Sequence, residues 1–174
     1  MYILTGMKHC GKSTIGALLA KRLGFPFFDL DRAIETTFSL AGTVSVREIY
    51  KEQGSGTFQK LETRALRNLV KTGKTPCVLS LGGGTIENRE AISILKEVSG
   101  FFIFLDVEEH ILLTRILRGG IPPFLSASDP AASFHTIFER RVPLYRAAAD
   151  ITVSLGTKNP GTAVETILQT LKEA

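Results

Sequence analysis

Along most of this chain, short apolar runs alternate with longer stretches in which apolar residues return every three or four positions. The first pattern predicts buried strands and the second predicts helices with one apolar face. The predicted strands are Tyr2 to Thr5 (YILT), Phe25 to Asp29 (FPFFD), Cys77 to Leu81 (CVLSL), Phe101 to Asp106 (FFIFLD) and Ile151 to Ser154 (ITVS). Between them the spacing predicts helices over Ser13 to Leu23, Arg32 to Phe38, Val46 to Glu52, Phe58 to Val70, Glu87 to Val98 and Glu108 to Arg118. Another is expected near Ser133 to Arg141 and a last one from Pro160. Ser45 with Glu48 has capping-box spacing, and Asn159 before Pro160 suits an N-cap followed by proline at the first helical position. Strands alternating with helices in this way form a parallel sheet covered on both faces. The expected fold class is α/β, with one domain over residues 1–174 and no repeat or linker.

Composition narrows the function classes. The chain has 174 residues, 44% hydrophobic and 22% charged, with a formal net charge of +4. That is ordinary globular usage, enough for one substantial core. Lys and Arg are scattered, and no aromatic residues interleave with a basic stripe, so nucleic acid is not an expected partner. No run of about 18 apolar residues occurs, so no membrane span is expected. The start, MYILTG, lacks the basic and apolar regions of a signal peptide and reads as a strand. Two cysteines, Cys10 and Cys77, form neither a disulfide framework nor zinc spacing with a histidine. A reducing cytoplasmic compartment and a monomer are the expectations.

The chemistry begins at GMKHCGKST, Gly6 to Thr14, which fits G-x-x-x-x-G-K-[ST] between a strand and a helix. In such a loop the glycines let successive N–H groups turn toward phosphate oxygens, and the helix start adds its partial positive charge. Gly6, Gly11, Lys12, Ser13 and Thr14 are the expected nucleotide-binding residues, with Lys12 reaching the β and γ phosphates and the Ser13 hydroxyl ligating Mg²⁺. His9 and Cys10 fill variable positions, and Cys10 reads as a small residue that fits.

Three further clusters bear on the acceptor. Asp29 and Asp31 leave the second strand at the end where such sheets bind ligands; one carboxylate suits Mg²⁺ and the other a substrate hydroxyl, although Asp31 also suits a helix N-cap. Gly82, Gly83 and Gly84 follow a buried strand and would let a ligand approach the backbone, with Ser80 beside the Mg²⁺ water shell. In ERRVPLYRAAAD, Glu139 to Asp150, two arginines precede a proline-ended helix; one could hold a carboxylate bidentately, or both could form a solvated basic face.

Together these pieces resemble the shikimate kinase family. The P-loop, Asp29-x-Asp31, VLSLGGG (Val78 to Gly84) and the Arg-x-Pro-Leu-Tyr run from Arg141 to Tyr145 fall in family order over nearly the whole chain. The resemblance implies a nucleoside-monophosphate-kinase-like, three-layer αβα fold with a five-stranded parallel sheet. It also implies a substrate-binding helical region over about residues 31–62 and a mobile lid over about 118–131. The implied reaction is ATP-dependent phosphorylation of the shikimate 3-hydroxyl, on the route to aromatic amino acids. By position, Lys12 holds the phosphates, Ser13 the Mg²⁺, and Asp29 acts on the metal through water. Asp31 binds the ring hydroxyls and orients or deprotonates the attacking one. Gly82, Gly83 and Gly84 line the ring, Arg141 pairs with the carboxylate, and Arg118 lies against adenine. Tyr50 and Phe58 form the apolar floor.

Two family arginines are absent. The substrate-helix motif Phe-Arg-x-x-Glu is here Phe58-Gln59-Lys60-Leu61-Glu62, and the lid motif Arg-Pro-Leu-Leu is Pro122-Pro123-Phe124-Leu125. The family's Gly-Glu step is Gly54-Ser55. Losing one charge-assisted bond to a carboxylate costs roughly 1.5–3 kcal/mol, or about 10- to 150-fold in affinity. A transition-state arginine is worth on the order of 10³–10⁵ in rate, so the lid change weighs more. Lys60 is turned by about 100° from position 59 along a helix. Arg115, Arg118 and Arg146 are near the lid, but none is a clean replacement, and the two prolines stiffen the segment. The expectation is a shikimate kinase of reduced activity. The alternatives are a kinase of the same fold with another hydroxylated acceptor, or a non-catalytic nucleotide-binding module.

Overall fold

In the computed structural model the strands are β1 (Tyr2–Thr5), β2 (Phe27–Asp29), β3 (Val78–Ser80), β4 (Phe101–Asp106) and β5 (Ile151–Ser154). They form one parallel sheet in the order β2-β3-β1-β4-β5. The helices are α1 (Lys12–Leu23), α2 (Leu30–Phe38), α3 (Val46–Lys71), α4 (Arg89–Glu97), α5 (Glu109–Leu117), α6 (Pro130–Ala148) and α7 (Pro160–Glu173). The structure describes residues 1–38, 44–72, 76–122 and 124–173. Residues 39–43 of the expected substrate region, and Pro123 of the expected lid, lie outside them.

Period-two alternation along the strands sorts side chains between two cores. Ile3, Leu79 and Phe102, which are register partners across three strands, join Leu30, Ile34, Leu66 and Leu95 of α2, α3 and α4 on one face. Leu4 and its register partner Ile103 join Leu19, Leu112, Ile137 and Val164 of α1, α5, α6 and α7 on the other. Both faces being covered explains why the central strands read as unbroken apolar runs. Among the described residues, no helix is long and apolar enough to cross a membrane.

Several boundaries differ from the sequence expectation for local reasons. Phe25 belongs to the close of α1 and not to β2, because Gly24 takes a left-handed turn (φ 69) and the Phe25 N–H returns to Ala20 O. The two helices expected between Val46 and Val70 abut in α3, and only Gly54 (φ 73, ψ 171) breaks the helical path. Helix α4 starts later than expected, after a short 3₁₀ turn at Thr85–Glu87, because Asn88 caps it by accepting from the Ala91 N–H. Helix α6 begins earlier, capped by Asp129, and runs through Pro143 to Ala148, so it is not ended by that proline. Buried Val142 and Tyr145 on either side hold the helix to the core. The capping box at Ser45 and Glu48 is present.

Candidate active site

The P-loop leaves β1 at Gly6 and closes at Gly11, whose φ of 102 would strain a residue with a side chain. Helix α1 follows, and its first turn carries no acidic residue. Its N–H groups have no helical acceptors, so the loop presents donors and partial positive charge together. Lys12 is buried and folds back over this loop. Its Nζ donates to Gly6 O at 2.9 Å and Met7 O at 2.8 Å, with Cys10 Sγ at 3.7 Å. One ammonium therefore holds the ring of the loop open from its rim.

Asp29 ends β2 and does two things at once. Its Oδ1 accepts from the Asp31 and Arg32 N–H groups at 3.1 and 3.3 Å, which caps the start of α2. Its Oδ2 accepts from the Ser13 hydroxyl at 2.5 Å. The capping role considered for Asp31 thus falls to Asp29. Asp31 sits in the first turn of α2 and not on the strand. Both nevertheless face one cleft. Burial pushes the Asp31 carboxyl above the usual carboxylate range, and the Asp29 charge adds to this against the pull of Lys12 and Lys8.

The three glycines make room first for the protein's own groups. A Cβ on Gly82 would come within 2.8 Å of Asp31 Oδ1 and 3.1 Å of Thr85 Oγ1. One on Gly83 would lie 3.0 Å from the Lys8 backbone N, and one on Gly84 would lie 3.4 Å from Arg141 Nη2. Buried Tyr145 fixes this run by donating its hydroxyl to Gly83 O; burial pushes that phenol far above its ordinary pKa.

Behind the glycines lies a buried polar network that the sequence reading passed over. Glu62 accepts from Thr85 Oγ1 at 2.5 Å and from Asn88 Nδ2 at 3.0 Å. Asn88 Nδ2 also donates to Gln59 O at 2.8 Å, tying α3 to the start of α4. Burial raises the Glu62 pKa, and the two hydrogen bonds act against the rise. Arg141 is likewise engaged. Its Nη2 lies 2.7 Å from Glu87 Oε2 and its Nε donates to the same oxygen at 2.8 Å, leaving Nη1 without a hydrogen bond among the described residues. Burial raises the Glu87 carboxyl, but Arg141 and Arg140 more than offset it and hold the pKa below its usual value.

These groups meet in one cleft of about 410 Å³. Of the predicted site residues, Gly11, Lys12, Ser13, Thr14, Asp29, Asp31, Gln59, Gly82, Gly83, Gly84 and Arg141 line it. So do Ser80, Tyr50 and Phe58; the two rings pack edge to face with centroids 5.6 Å apart. Gly6 is beneath the loop, where its carbonyl receives Lys12. Arg118 is exposed at the end of α5 and does not line the cleft. Lys8, Arg47, Glu62, Glu87 and Phe124 line it without having been singled out for the site. A basic residue inside the P-loop was the available signal for Lys8. Arg47 became visible only when α3 folded against the cleft.

The donor set suits a hydrated Mg²⁺. Ser13 and Asp29 put one hydroxyl and one carboxylate at the phosphate end. Among the described residues no group of three or more Asp, Glu, His or Cys could hold a metal. Mg²⁺ bound beside phosphates keeps several waters and takes only one or two protein oxygens, so this sparse set fits it.

Comparison with known proteins agrees with the geometry. A family model described as shikimate kinase matches residues 8–172. A shikimate kinase of Chlorobium limicola is 38% identical, covering 98% of this chain and 86% of that one. The structure of shikimate kinase from Acinetobacter baumannii in complex with shikimate superposes with a TM-score of 0.87 at 28% identity, covering 99% of this chain and 92% of that one. The enzyme from Aquifex aeolicus gives 0.80 at 32% identity, covering 99% and 96%. This chain, from its P-loop to its last helix, belongs to the shikimate kinase family.

Proposed function

We propose that this protein transfers the γ-phosphoryl group of ATP to the 3-hydroxyl of shikimate. The observation that carries the reading is the convergence of Lys12, Asp31 and Arg141, from three separate elements, on one cleft. A phosphate cradle, a hydroxyl-directed carboxylate and a carboxylate-directed guanidinium are the three recognitions that a phosphorylated hydroxy acid needs.

The P-loop N–H groups and Lys12 bind the phosphates, with Lys12 exchanging the Gly6 and Met7 carbonyls for phosphate oxygens. Mg²⁺, held by Ser13 and through water by Asp29, supplies positive charge to the phosphates when bound. Arg141 takes the acceptor carboxylate on its open Nη1 edge, and Gln59 offers that carboxylate a neutral amide. Gly82, Gly83 and Gly84 admit the ring. Asp31 orients the hydroxyl; its raised pKa makes it a better proton acceptor than an ordinary aspartate. The acceptor oxygen bonds to the γ-phosphorus as the bond to the β,γ-bridging oxygen breaks. The hydroxyl proton passes to Asp31 and then to water, and ADP leaves with the electron pair. Arg118 faces the adenine from the foot of the lid.

The test is coupled ADP release with Mg²⁺-ATP, with and without shikimate. Shikimate-dependent release is expected. Absence of stimulation, with ATP binding confirmed separately, would redirect the reading to another acceptor of the same fold.

A further inference from the structure

Phosphoryl transfer spreads negative charge over the three non-bridging oxygens of the moving group, and cations aimed at those oxygens stabilise the transition state. The expected lid sequence offers none, since Ile121 to Leu125 carries no charged side chain. Among the described residues, four Lys and Arg side chains line the cleft. Three are engaged. Lys12 holds two loop carbonyls, Arg141 is paired with Glu87, and Arg47 donates to Ile121 O at 3.0 Å.

Lys8 is the exception. Among the described residues it has no hydrogen bond and no ion-pair partner; its Nζ stands 5.7 Å from the centre of the Phe124 ring. Its backbone N lies against Gly83, so the side chain leaves the P-loop at the seam between phosphate cradle and glycine run. The charges it feels are Asp31, which favours its ammonium, and Arg47 and Lys12, which oppose it. Asp31 and Lys12 belong to the hydroxyl and phosphate ends of the cleft, and neither Arg141 nor Glu87 is among these charges. Burial is the larger influence and lowers its pKa. A half-buried ammonium with no ion-pair partner among the described residues is a destabilising arrangement that an arriving anion would relieve.

We propose that Lys8 is a catalytic residue, the cation that meets the non-bridging oxygens of the phosphoryl group in flight, supplied by the P-loop in place of the lid. The proposal rests on the phosphotransfer reading above. Phe124 aims the ammonium by presenting its ring face, and Arg47 holds the Ile121 carbonyl. Lys8 exchanges no proton in the step; it touches only the oxygens that gain charge while the acceptor oxygen replaces ADP on phosphorus.

The experiment compares wild type with Lys8→Met, Lys8→Gln and Lys8→Arg in the coupled assay, with ADP affinity as the control for an intact cradle. Lys8→Met is expected to lower kcat on the order of 10²-fold, with the shikimate KM and ADP affinity within about threefold of wild type, which is under 1 kcal/mol. Lys8→Arg should retain most of the turnover. If Lys8→Met does not fold, Lys8→Gln is read in its place. An unchanged kcat overturns the proposal, and so does a raised shikimate KM at constant kcat, which would assign Lys8 to the acceptor carboxylate. If wild type turns over no shikimate, the acceptor reading fails by itself. Lys8 is then judged on basal Mg²⁺-ATP hydrolysis, which Lys8→Met should lower by a similar factor; equal hydrolysis overturns the proposal.

Discussion

Gly82 and Asp31 stand so close that a single methyl group on the glycine would come within 2.8 Å of the aspartate Oδ1. The carboxylate is placed by an absent side chain as much as by the bonds around it. Gly82→Ala is therefore expected to displace Asp31, and to press on Thr85 at 3.1 Å as well. Overpacking of this kind costs about 1–3 kcal/mol. Chemical denaturation should report that loss, together with a drop in kcat larger than any rise in ATP KM. Wild-type kcat in a folded Gly82→Ala would show that the position of Asp31 is not critical.

Asp31 itself yields a prediction with opposite signs for stability and activity. Its pKa is raised mainly by burial, so ionisation costs more in the folded chain than in the unfolded one. The favourable contribution is complete below the unfolded pKa and is lost as pH rises through the folded value. Asp31→Asn should accordingly melt higher than wild type at neutral pH, with the difference vanishing in acid. The same substitution should reduce turnover by roughly 10²–10⁴-fold, the usual worth of a positioned acid–base group. In wild type, kcat should fall on acidification at a pH above the ordinary aspartate range. A melting advantage independent of pH would contradict the assignment.

Lys12→Ala should abolish phosphoryl transfer while circular dichroism remains that of the folded chain. The variant also strips the Gly6 and Met7 carbonyls of their donor. A stability loss of about 1–3 kcal/mol is expected from leaving buried acceptors unpaired. Near-normal turnover would mean that the cradle does not act through this lysine.

The acceptor end can be probed by adding charge. Gln59 lines the cleft with its side chain exposed, and Gln59→Arg should lower the shikimate KM by about tenfold, one charge-assisted bond at the low end of its range. Arg141→Ala should raise it by about 10- to 150-fold on the same arithmetic. Steady-state kinetics on both variants, with ATP saturating, separates these effects from kcat. An unchanged KM in both would place the acceptor carboxylate elsewhere.

Much of this architecture is legible in the chain. Apolar runs such as FFIFLD and the three- and four-residue spacing between them reflect burial on both faces of a sheet, which depends only on local pattern. The P-loop is legible because its glycines, lysine and serine are contiguous. What the pattern could not show were pairings made across distance. Glu87 meeting Arg141, and Arg47 reaching Ile121 O, each join residues far apart in sequence, and no local rule selects the partner. Some boundaries misled for a different reason. Pro143 reads as a helix end, yet packing of Val142 and Tyr145 outweighs the one hydrogen bond a proline removes.

Asn88 illustrates how tightly such distant pairings restrict what evolution can write. Its oxygen starts one helix, and its nitrogen secures both a backbone carbonyl of another and a buried carboxylate. Serine would keep the first duty and drop the second. Aspartate would keep the first and set a like charge against Glu62. Glutamine carries the same two atoms one methylene too far out. Of these four side chains only asparagine meets both demands at this place.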